Sequence, residues 1–394
     1  MKYVIIGGGV TGTTAAEELR KNDLNAEITI ISAEQHRVYS RVLLPRYVKG
    51  TLPREKCFLK KETWYDEQNI KFVFGTWVNE INACDHFVST NDGRSFTFDK
   101  LLIATSGNLL KFPNDLRGIS YLRTIDDADH LIDLIEETNS LPDEHRRAGI
   151  VGGSFIAAEY LNFFAQHKIP ANLFMLEDTF FGGALDADSF AILQTRIEAE
   201  GIKMHPNKST TKLLGDSKIE GVECGDEKFP LSLLAVGIGV RPDLAMFGNA
   251  GIDVNRGIIT NEFLETNAPD IFAAGDVAEF YDTFADRHVM VGNWLNAQAQ
   301  GRVVAKTMAG ERTAFSAVRA YSTNVCGIEV IFIGDTDVQL ADKITKRGSS
   351  EENGVTQIFS RREKVVGATL VNRNADRTQL TALIQSKGTI RELF

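Results

Sequence analysis

Short apolar runs recur along the chain, and each is followed by a glycine turn and a stretch of helix-forming residues. The first is KYVIIGGGVTGTTAAEEL at the amino end, and the second is AGIVGGSFIAAEYL from Ala148. Each leads into another apolar strand, EITIISAE in the first copy and NLFMLE in the second. Strand, turn, helix and strand in this order form a βαβ unit with parallel strands. The pattern therefore predicts an α/β fold with two Rossmann-like, dinucleotide-binding units.

The first glycine turn has the spacing GxGxxG, formed by Gly7, Gly9 and Gly12. Gly7 allows a tight turn, Gly9 lets the backbone approach a pyrophosphate, and Gly12 lets the helix pack closely on the strand. The helix N-terminus adds free N–H groups and the positive end of a dipole. Glu34, just after the second strand, is the candidate partner for a ribose 2′-hydroxyl. The alternatives are a plain tight turn and, for Glu34, a solvated loop acid.

The second glycine turn is less regular, because Gly152 is kept while Ser154 and Ala157 replace the other two glycines. Glu177 ends the following strand, where a carboxylate can accept a hydrogen bond from a ribose 2′-hydroxyl and would repel a 2′-phosphate. No Lys or Arg lies between Glu177 and Arg196. The pattern therefore predicts NADH rather than NADPH, with a glycine turn of no special function as the alternative.

With two such units, the sequence resembles the FAD-dependent pyridine nucleotide-disulfide oxidoreductase superfamily over nearly its whole length. The resemblance implies FAD near the first turn and NAD near the second. It also implies cofactor contacts from four further residues: Thr105 in LLIATSGN, Gly239 in LLAVGIGVRPD, and Gly275 and Asp276 in TNAPDIFAAGDVAEF.

Two segments narrow the resemblance to NADH-dependent rubredoxin and ferredoxin reductases. NWLNAQAQG is similar to their Trp-centred segment and would place Trp294 beside the isoalloxazine; a plain core tryptophan is the alternative. YSRVLLPR resembles the segment beneath the flavin in these reductases and in the flavin part of NADH-nitrite reductase. The resemblance puts Arg41 near the FAD pyrophosphate.

The same resemblance implies that Arg46 pairs with Glu159 beside flavin N5. Arg46 stands where the family has a lysine. Because an arginine is a planar fork and a lysine a point charge, the pairing geometry need not be the same. A buried pair has a physical reason, since each ion would be costly in an apolar site without the other. Two ordinary surface charges are the alternative. Glu159 would also hold the nicotinamide carboxamide, and Phe155 would gate the nicotinamide face.

Superfamily members that reduce coenzyme A disulfide, peroxide or dioxygen place a redox cysteine in the flavin-side segment. This chain has Val42, Leu43 and Leu44 there, and Cys57 is expected not to face the ring. A thiolate relay is impossible with such side chains. Electrons are therefore expected to leave the flavin directly, one at a time, to an external carrier of the rubredoxin or ferredoxin type.

The composition fits a globular protein of 394 residues with net charge −10. No apolar run approaches the ~20 residues needed to cross a bilayer, so we expect no membrane span and a cytoplasmic location. The acidic balance argues against nonspecific nucleic-acid binding. The four cysteines are widely scattered and show no metal-ligand spacing, which predicts reduced thiols and no metal site.

Positive charge is nevertheless concentrated between Arg37 and Lys61. This run holds eight Lys or Arg residues and one acid, Glu55, giving a net charge of +7. A locally positive face would attract an acidic electron carrier that the rest of the protein repels. The alternative is that some of these residues serve the cofactor and the others form a solvated face.

The resemblance implies an FAD-binding domain at residues 1–112 and 240–316, with an NAD-binding domain inserted at 113–239. Residues 317–394 resemble the superfamily's small α+β interface domain, through which a homodimer is possible. Two further hypotheses remain open: an electron-entry subunit of a nitrite or nitrate reductase system, and a redox-responsive flavoprotein binding module.

Overall fold

The computed structural model describes residues 1–114 and 116–393. The strands, in chain order, are β1 Lys2–Ile6, β2 Glu27–Ile31, β3 Ile70–Val73, β4 Val78–Asn82, β5 Phe87–Thr90, β6 Ser95–Thr97, β7 Lys100–Ile103, β8 Asn108–Leu109, β9 Ile119–Tyr121, β10 Ala148–Val151, β11 Ala171–Phe174, β12 Ile202–His205, β13 Lys212–Leu214, β14 Gly221–Cys224, β15 Glu227–Pro230, β16 Leu233–Val236, β17 Val240–Arg241, β18 Ile258–Thr260, β19 Ile271–Ala273, β20 Ala278–Asp282, β21 Arg287–Met290, β22 Ala320–Val325, β23 Ile328–Gly334, β24 Lys343–Ser349, β25 Gly354–Arg361 and β26 Lys364–Val371.

The α-helices are α1 Val10–Asn22, α2 Leu44–Val48, α3 Trp64–Glu67, α4 Ile125–Asn139, α5 Phe155–His167, α6 Ala187–Ala199, α7 Ala245–Asn249, α8 Trp294–Met308 and α9 Arg377–Gln385. Short 3-10 helices cover Arg41–Leu43, Arg54–Cys57, Phe180–Gly183, Gly275–Val277, Val338–Leu340, Asn374–Asp376 and Ile390–Leu393. In the part of the chain that the structure describes, no helix is long and apolar enough to span a bilayer.

The chain divides into two compact units. Unit 1 comprises residues 1–43, 52–108 and 240–317, and unit 2 comprises 44–51, 109–239 and 318–394. Unit 1 therefore contains most of the segment predicted to bind FAD. Unit 2 holds the segment predicted to bind NAD together with the carboxyl-terminal segment, which the sequence had suggested as a third domain.

Unit 1 is built on a five-stranded sheet in the order β19-β7-β1-β2-β3. Its strands pair in parallel, with Ile6 opposite Ile31 on one side and Ile103 on the other. Both faces of a parallel sheet are covered, so β1 reads as the continuous apolar run YVII. Tyr3 and Ile5 face one hydrophobic core. Val4 and Ile6 face the other.

Helices α1 and α8 pack closely because small residues line their contact. A Cβ at Gly301 of α8 would lie 2.7 Å from the carbonyl oxygen of Thr11 and 3.2 Å from Cβ of Thr14. The Thr11 hydroxyl also donates to the carbonyl oxygen of Ala297 at 3.2 Å. This contact fixes the start of α1, which follows the first glycine turn.

Unit 2 repeats the plan with a sheet in the order β12-β11-β10-β16-β9. Val151, at the end of β10, lies opposite Phe174 of β11 and Val236 of β16 in parallel register. In both sheets the strand before the glycine turn therefore lies between two parallel neighbours. The carboxyl ends of such strands are where α/β sheets bind ligands. The α/β class with two Rossmann-like sheets is confirmed.

The carboxyl-terminal part of unit 2 is a five-stranded sheet in the order β22-β23-β26-β25-β24 with antiparallel pairing. One of its faces packs on α9, where Leu380 and Leu383 meet Ile331, Ile358 and Leu370 in a single core. Dimerisation through this sheet stays a prediction.

Residues 44–51 belong to unit 2, although the sequence placed them in the FAD-binding domain. The Tyr47 hydroxyl donates to Asp129 Oδ1 of α4 at 2.6 Å. The side chain of Gln166, near the end of α5, donates to the carbonyl oxygen of Lys49 at 3.2 Å. These long-range bonds explain the assignment, and no local sequence pattern signals them.

Arg20 stabilises the first βαβ unit through its side-chain hydrogen bonds. Its buried guanidinium donates to the backbone carbonyls of five residues around the ends of α1 and α3: Asp23, Leu24, Ala26, Gln68 and Asn69. A lysine cannot reproduce this fork of donors. We expect Arg20→Lys to reduce the free energy of unfolding by about 2–4 kcal/mol, because several buried carbonyls lose their donors.

Urea or thermal denaturation measures this loss. Lys21→Ala is the matched control, because Lys21 is exposed and its pair with Glu18 is a surface ion pair. Such a pair contributes about 0–1 kcal/mol. Equal effects of the two substitutions would contradict the role given to Arg20.

Candidate functional site

The first glycine turn is closed by a backbone contact at Gly7. This residue has φ +116°, and a Cβ there would lie 2.3 Å from the carbonyl oxygen of Ala104 and 3.1 Å from the nitrogen of Thr105. A Cβ at Gly12 would lie 2.0 Å from the carbonyl oxygen of Gly7. At Gly9, no described atom would lie within 4 Å of a Cβ. Gly7 and Gly12 thus close the turn, and Gly9 leaves open space before α1.

Glu34 and Arg41 form an ion pair near the carboxyl end of β2. The Glu34 carboxylate accepts hydrogen bonds from the Arg41 guanidinium at 2.6 Å and from the Tyr39 hydroxyl at 2.5 Å. Burial lowers the pKa of Arg41, but Tyr39 and Glu34 raise it, and the net pKa lies above its usual value. Arg41 therefore stays charged and is held by Glu34. Their contacts with the FAD pyrophosphate and ribose stay predictions.

Gly275 and Asp276 begin a 3-10 turn after β19. Gly275 has φ +83°, and a Cβ there would lie 2.4 Å from the Thr11 hydroxyl oxygen. The Asp276 carboxylate accepts a hydrogen bond from the Ser106 hydroxyl at 3.1 Å. The turn following β7 and the turn following β19 therefore meet at this carboxylate.

Trp294 and Gln300 both lie on α8, but only Trp294 was singled out from the sequence. Trp294 is the partly exposed first residue of the helix. The Gln300 side-chain oxygen accepts a hydrogen bond from the Gly275 N–H at 2.7 Å, which fixes the turn before Asp276. Gln300 lies in the NWLNAQAQG segment. The only feature of the sequence that could have identified it is a polar residue at a helix position that faces the core. Ser106 had no signal beyond its place after β7.

These residues of unit 1 fit a bound FAD. The open space at Gly9 lies between the turn and the N-terminus of α1, where a pyrophosphate is stabilised. The fully buried Gln300 Nε2 has no hydrogen-bond partner among the described residues, although buried polar groups are normally paired. A cleft of about 450 Å³ also opens beyond Glu34, lined among others by His36, Phe58 and Phe74.

The second glycine turn reproduces the geometry of the first. Gly152 has φ +115°, and a Cβ there would lie 2.3 Å from the carbonyl oxygen of Gly237. Ser154 occupies the position before α5, and its hydroxyl donates to the same carbonyl at 3.1 Å. Ala157 is fully buried. Gly239 has φ +102°, with no described atom within 4 Å of a Cβ. Replacement of two glycines has therefore not changed the turn.

Glu177 is exposed shortly after the end of β11. Its Oε2 would lie 3.8 Å from a Cβ at Gly153, so its carboxylate is beside the second glycine turn. This is the edge of the sheet where a nucleotide ribose is expected. The contact of Glu177 with the ribose stays a prediction.

The predicted pair of Arg46 and Glu159 is not formed. Lys49 Nζ lies 3.9 Å from Glu159 Oε2, whereas Arg46 is exposed. Leu44 and Val48 are buried one helical turn apart, and Arg46 falls on the opposite face of the short helix α2. Lys49, which follows the helix, provides the cation that Arg46 was expected to supply.

Burial raises the pKa of Glu159, while Lys49 and a hydrogen bond from Asn162 lower it, and the net pKa is above the usual value. A half-buried carboxylate with a single cation nearby among the described residues resists ionisation. A shifted pKa of this kind makes Glu159 a candidate functional residue. Asn162 was missed because its role depends on helix packing.

Phe155 begins α5 and is 37% exposed. Its ring contacts those of Phe181, Tyr321 and Phe332, with centroid distances of 4.9, 5.2 and 5.6 Å. The ring predicted to gate the nicotinamide is therefore part of an aromatic cluster that includes the carboxyl-terminal sheet. Gating itself stays a prediction.

The described cysteines form no disulfide, and the described residues contain no group of three or more His, Cys, Asp and Glu arranged to hold a metal ion. Cys57 lies beside the segment YSRVLLPR, because its carbonyl oxygen accepts the Ser40 N–H at 2.8 Å. Its side chain is fully buried. Burial also raises the pKa of Cys326 to about 11, so that thiol is protonated at neutral pH.

The raised pKa of Glu159 predicts how protein stability depends on pH. A carboxyl with a raised folded-state pKa binds its proton more tightly in the folded than in the unfolded protein. Wild-type stability relative to Glu159→Gln should therefore fall as the pH rises from the unfolded pKa through the folded pKa. It should then remain constant. Melting temperatures of the two proteins, measured side by side across this range, test the expectation.

Lys49→Met, introduced into both proteins, should extend the fall to higher pH because it removes the cation that favours the carboxylate. Arg46→Met is the matched control and should leave the curve unchanged, since Arg46 does not contact Glu159. A melting-temperature difference that is independent of pH would show that Glu159 has an ordinary pKa.

The chain is similar to known oxidoreductases over almost its whole length. It is 27% identical to the nitrite reductase [NAD(P)H] of Bacillus subtilis, covering 99% of this chain and 48% of that protein. It spans about half the length of that relative. It is 26% identical to the NADH-rubredoxin oxidoreductase of Clostridium acetobutylicum, covering 98% of this chain and 94% of that protein.

The fold is shared with the reductase in a covalent putidaredoxin reductase-putidaredoxin complex. The TM-score is 0.91 at 24% sequence identity, covering 98% of this chain and 93% of that chain. Residues 1–301 match the pyridine nucleotide-disulphide oxidoreductase family. The chain therefore belongs to the pyridine nucleotide-disulphide oxidoreductase family.

Proposed function

We propose that this chain takes a hydride from NADH onto FAD and passes the two electrons singly to a small external carrier of the rubredoxin or ferredoxin type. The observation that carries the proposal is the thiol-free segment around Val42, Leu43 and Leu44, in a family whose name refers to disulphide chemistry. The neighbouring Cys57 is fully buried. Without an accessible thiol in this segment, electrons would leave the flavin directly.

In this proposal the first glycine turn and Asp276 hold FAD, which supplies the chemistry of accepting a hydride and releasing single electrons. Arg41 and Glu34 fix the flanking loop. Trp294, exposed in part at the start of α8, would lie beside the flavin ring. The protein's contribution is to bind and orient the cofactor and to exclude water.

The second glycine turn would hold NADH. Glu177 supports NADH over NADPH, because its exposed carboxylate beside the turn would repel a 2′-phosphate. Glu159 would accept the carboxamide N–H of the nicotinamide, with Lys49 and Asn162 keeping its carboxylate in place. Ser154 and Gly239 would line the path of the dinucleotide, and Phe155 would cover the nicotinamide position before the ligand enters.

The names of the relatives support a protein carrier as acceptor. One relative is an NADH-rubredoxin oxidoreductase, and the structural neighbour was captured as a covalent complex with putidaredoxin. A second candidate function is electron entry into nitrite reduction. It is favoured by the match of 99% of this chain to about half of a nitrite reductase.

The basic run from Arg37 to Lys61 is less positive than its sequence suggests. Four of its residues pair with acids outside it: Arg37 with Glu62, Arg41 with Glu34, Lys49 with Glu159, and Lys60 with Glu17. Lys56 and Lys61 are exposed and have no ion pair within the described residues. We propose that these two lysines contribute most of the attraction for an acidic carrier.

Stopped-flow reduction tests the function. The visible absorbance of the oxidised flavin in FAD-loaded protein should fall when NADH is added, and should fall more slowly with NADPH. The reduced protein should reoxidise faster with rubredoxin or ferredoxin than with dioxygen or a disulfide. Reoxidation by nitrite together with a nitrite reductase partner tests the second candidate function, electron entry into nitrite reduction. A faster reaction with the disulfide than with either carrier would reject the proposal.

Charge reversal tests the docking lysines. Lys56→Glu combined with Lys61→Glu should slow reduction of an acidic carrier by about tenfold at low salt and flatten its salt dependence, because steering by charge is lost. Reduction of ferricyanide, which needs no docked protein, should change much less. Lys212→Glu combined with Lys343→Glu reverses two other exposed lysines and is the charge-matched control. Equal slowing by the two pairs would remove the case for docking there.

A further inference from the structure

A row of side chains crosses the whole carboxyl-terminal sheet in register. Neighbouring strands place the members directly opposite one another, so they share one face of the sheet. The row runs through Tyr321 of β22, Phe332 of β23, Thr369 of β26, Gln357 of β25 and Lys346 of β24. We call these five residues the cross-strand row.

One end of the cross-strand row is aromatic and contacts the start of α5. Tyr321 and Phe332 stack with ring centroids 5.1 Å apart. Both rings meet Phe155, and Phe332 also meets Phe181 at a centroid distance of 5.2 Å. The ring that follows the second glycine turn is therefore held by the sheet.

The other end of the cross-strand row is polar and contacts the start of α6. Gln357 Oε1 accepts the backbone N–H of Asp186 at 2.9 Å. Lys346 Nζ pairs with Asp188 and lies 3.7 Å from Asp186 Oδ2. Thr369, in the middle of the row, is buried, and its hydroxyl has no hydrogen-bond partner within the described residues.

Residues 177–188 lie between these two ends. We call this segment the ribose loop, because it begins at Glu177, the residue predicted to contact the ribose. The Phe181 N–H donates to the carbonyl oxygen of Gly153 at 2.7 Å, joining the loop to the second glycine turn. Phe181, Gly182 and Gly183 have φ values of +60°, +63° and +83°. A non-glycine residue persists in this region only where surrounding contacts hold it there. At Phe181 the rings of Phe155 and Phe332 are such contacts.

We propose that the cross-strand row positions the NADH site, by fixing the ribose loop and Phe155 against the second glycine turn. The inference rests on the proposed function only in that NADH binds at this turn. The row's members are positioning residues, because they act through Phe155, Phe181 and Asp186. The carboxyl-terminal sheet is then a working part of the dinucleotide half.

The opposite face of the same strand supplies a matched control. Thr356, next to Gln357, is fully buried and donates through its hydroxyl to Asp376 Oδ2 at 2.6 Å. Its contact lies toward the carboxyl-terminal helix region and away from the ribose loop. Loss of either hydrogen bond should lower stability, but only loss of the Gln357 bond should affect NADH.

The test compares Gln357→Met with Thr356→Val in the FAD-loaded full chain. We expect Gln357→Met to raise the Kd for NAD⁺, measured by titration, about tenfold, as for one lost positioning hydrogen bond. The KM for NADH should rise in parallel, while kcat for ferricyanide reduction stays within about twofold. Thr356→Val should leave Kd and KM unchanged at a similar loss in melting temperature.

Lys346→Met is a second test of the cross-strand row, for use if Gln357→Met does not fold. Lys346 is exposed, so its replacement should not prevent folding. The substitution should raise the Kd for NAD⁺ about two- to threefold, since the pairs with Asp186 and Asp188 are surface ion pairs. Lys343→Met on the same strand is its control and should have no effect.

If wild type binds NAD⁺ and the row variants bind it equally well, the inference is wrong while the proposed function stands. Equal weakening by row variants and controls would also overturn it, because it would indicate general loosening of unit 2. If wild-type protein neither binds NAD⁺ nor is reduced by NADH, the proposed function fails and takes the inference with it.

Discussion

Each half of the chain depends on a backbone contact that leaves no room for a side chain. In unit 1, a Cβ at Gly7 would lie 2.3 Å from the carbonyl oxygen of Ala104. In unit 2, a Cβ at Gly152 would lie 2.3 Å from the carbonyl oxygen of Gly237. The contact joins the strand before the turn to its parallel neighbour. It thereby directs the following helix N-terminus, with its unpaired N–H groups, toward the carboxyl edge of the sheet.

Three carboxylates of the candidate sites are each restrained by one or two local partners. Glu34 is held by Arg41 and Tyr39, Asp276 by Ser106, and Glu159 by Lys49 and Asn162. These partners keep charged groups in a fixed orientation where water is partly excluded, and such preorganisation is what a protein contributes to cofactor chemistry. At Glu159 burial outweighs the effect of these partners, and the pKa of its carboxyl is raised.

The carboxyl-terminal sheet is more than an appended layer in unit 2. One face carries a conventional core with α9, and the other provides rings and hydrogen bonds to the elements around the second glycine turn. A sheet suits this task because residues opposite each other on adjacent strands form a straight row at fixed spacing. The left-handed conformation of Phe181 shows where the contacts of that row overcome a local backbone preference.

The sequence by itself determined the features that follow from local pattern and steric exclusion. Apolar runs, glycine spacing and helix-forming stretches specified two βαβ units, because their periodicity and φ requirements act over a few residues. The missing cysteine between Tyr39 and Tyr47 is likewise visible without coordinates. Tertiary structure decided which distant side chains meet. It paired Glu159 with Lys49 and left Arg46 exposed, because burial of Leu44 and Val48 fixed the orientation of a short helix. It also brought Gln357 to Asp186, a contact set by strand register and sheet packing between segments far apart in the chain.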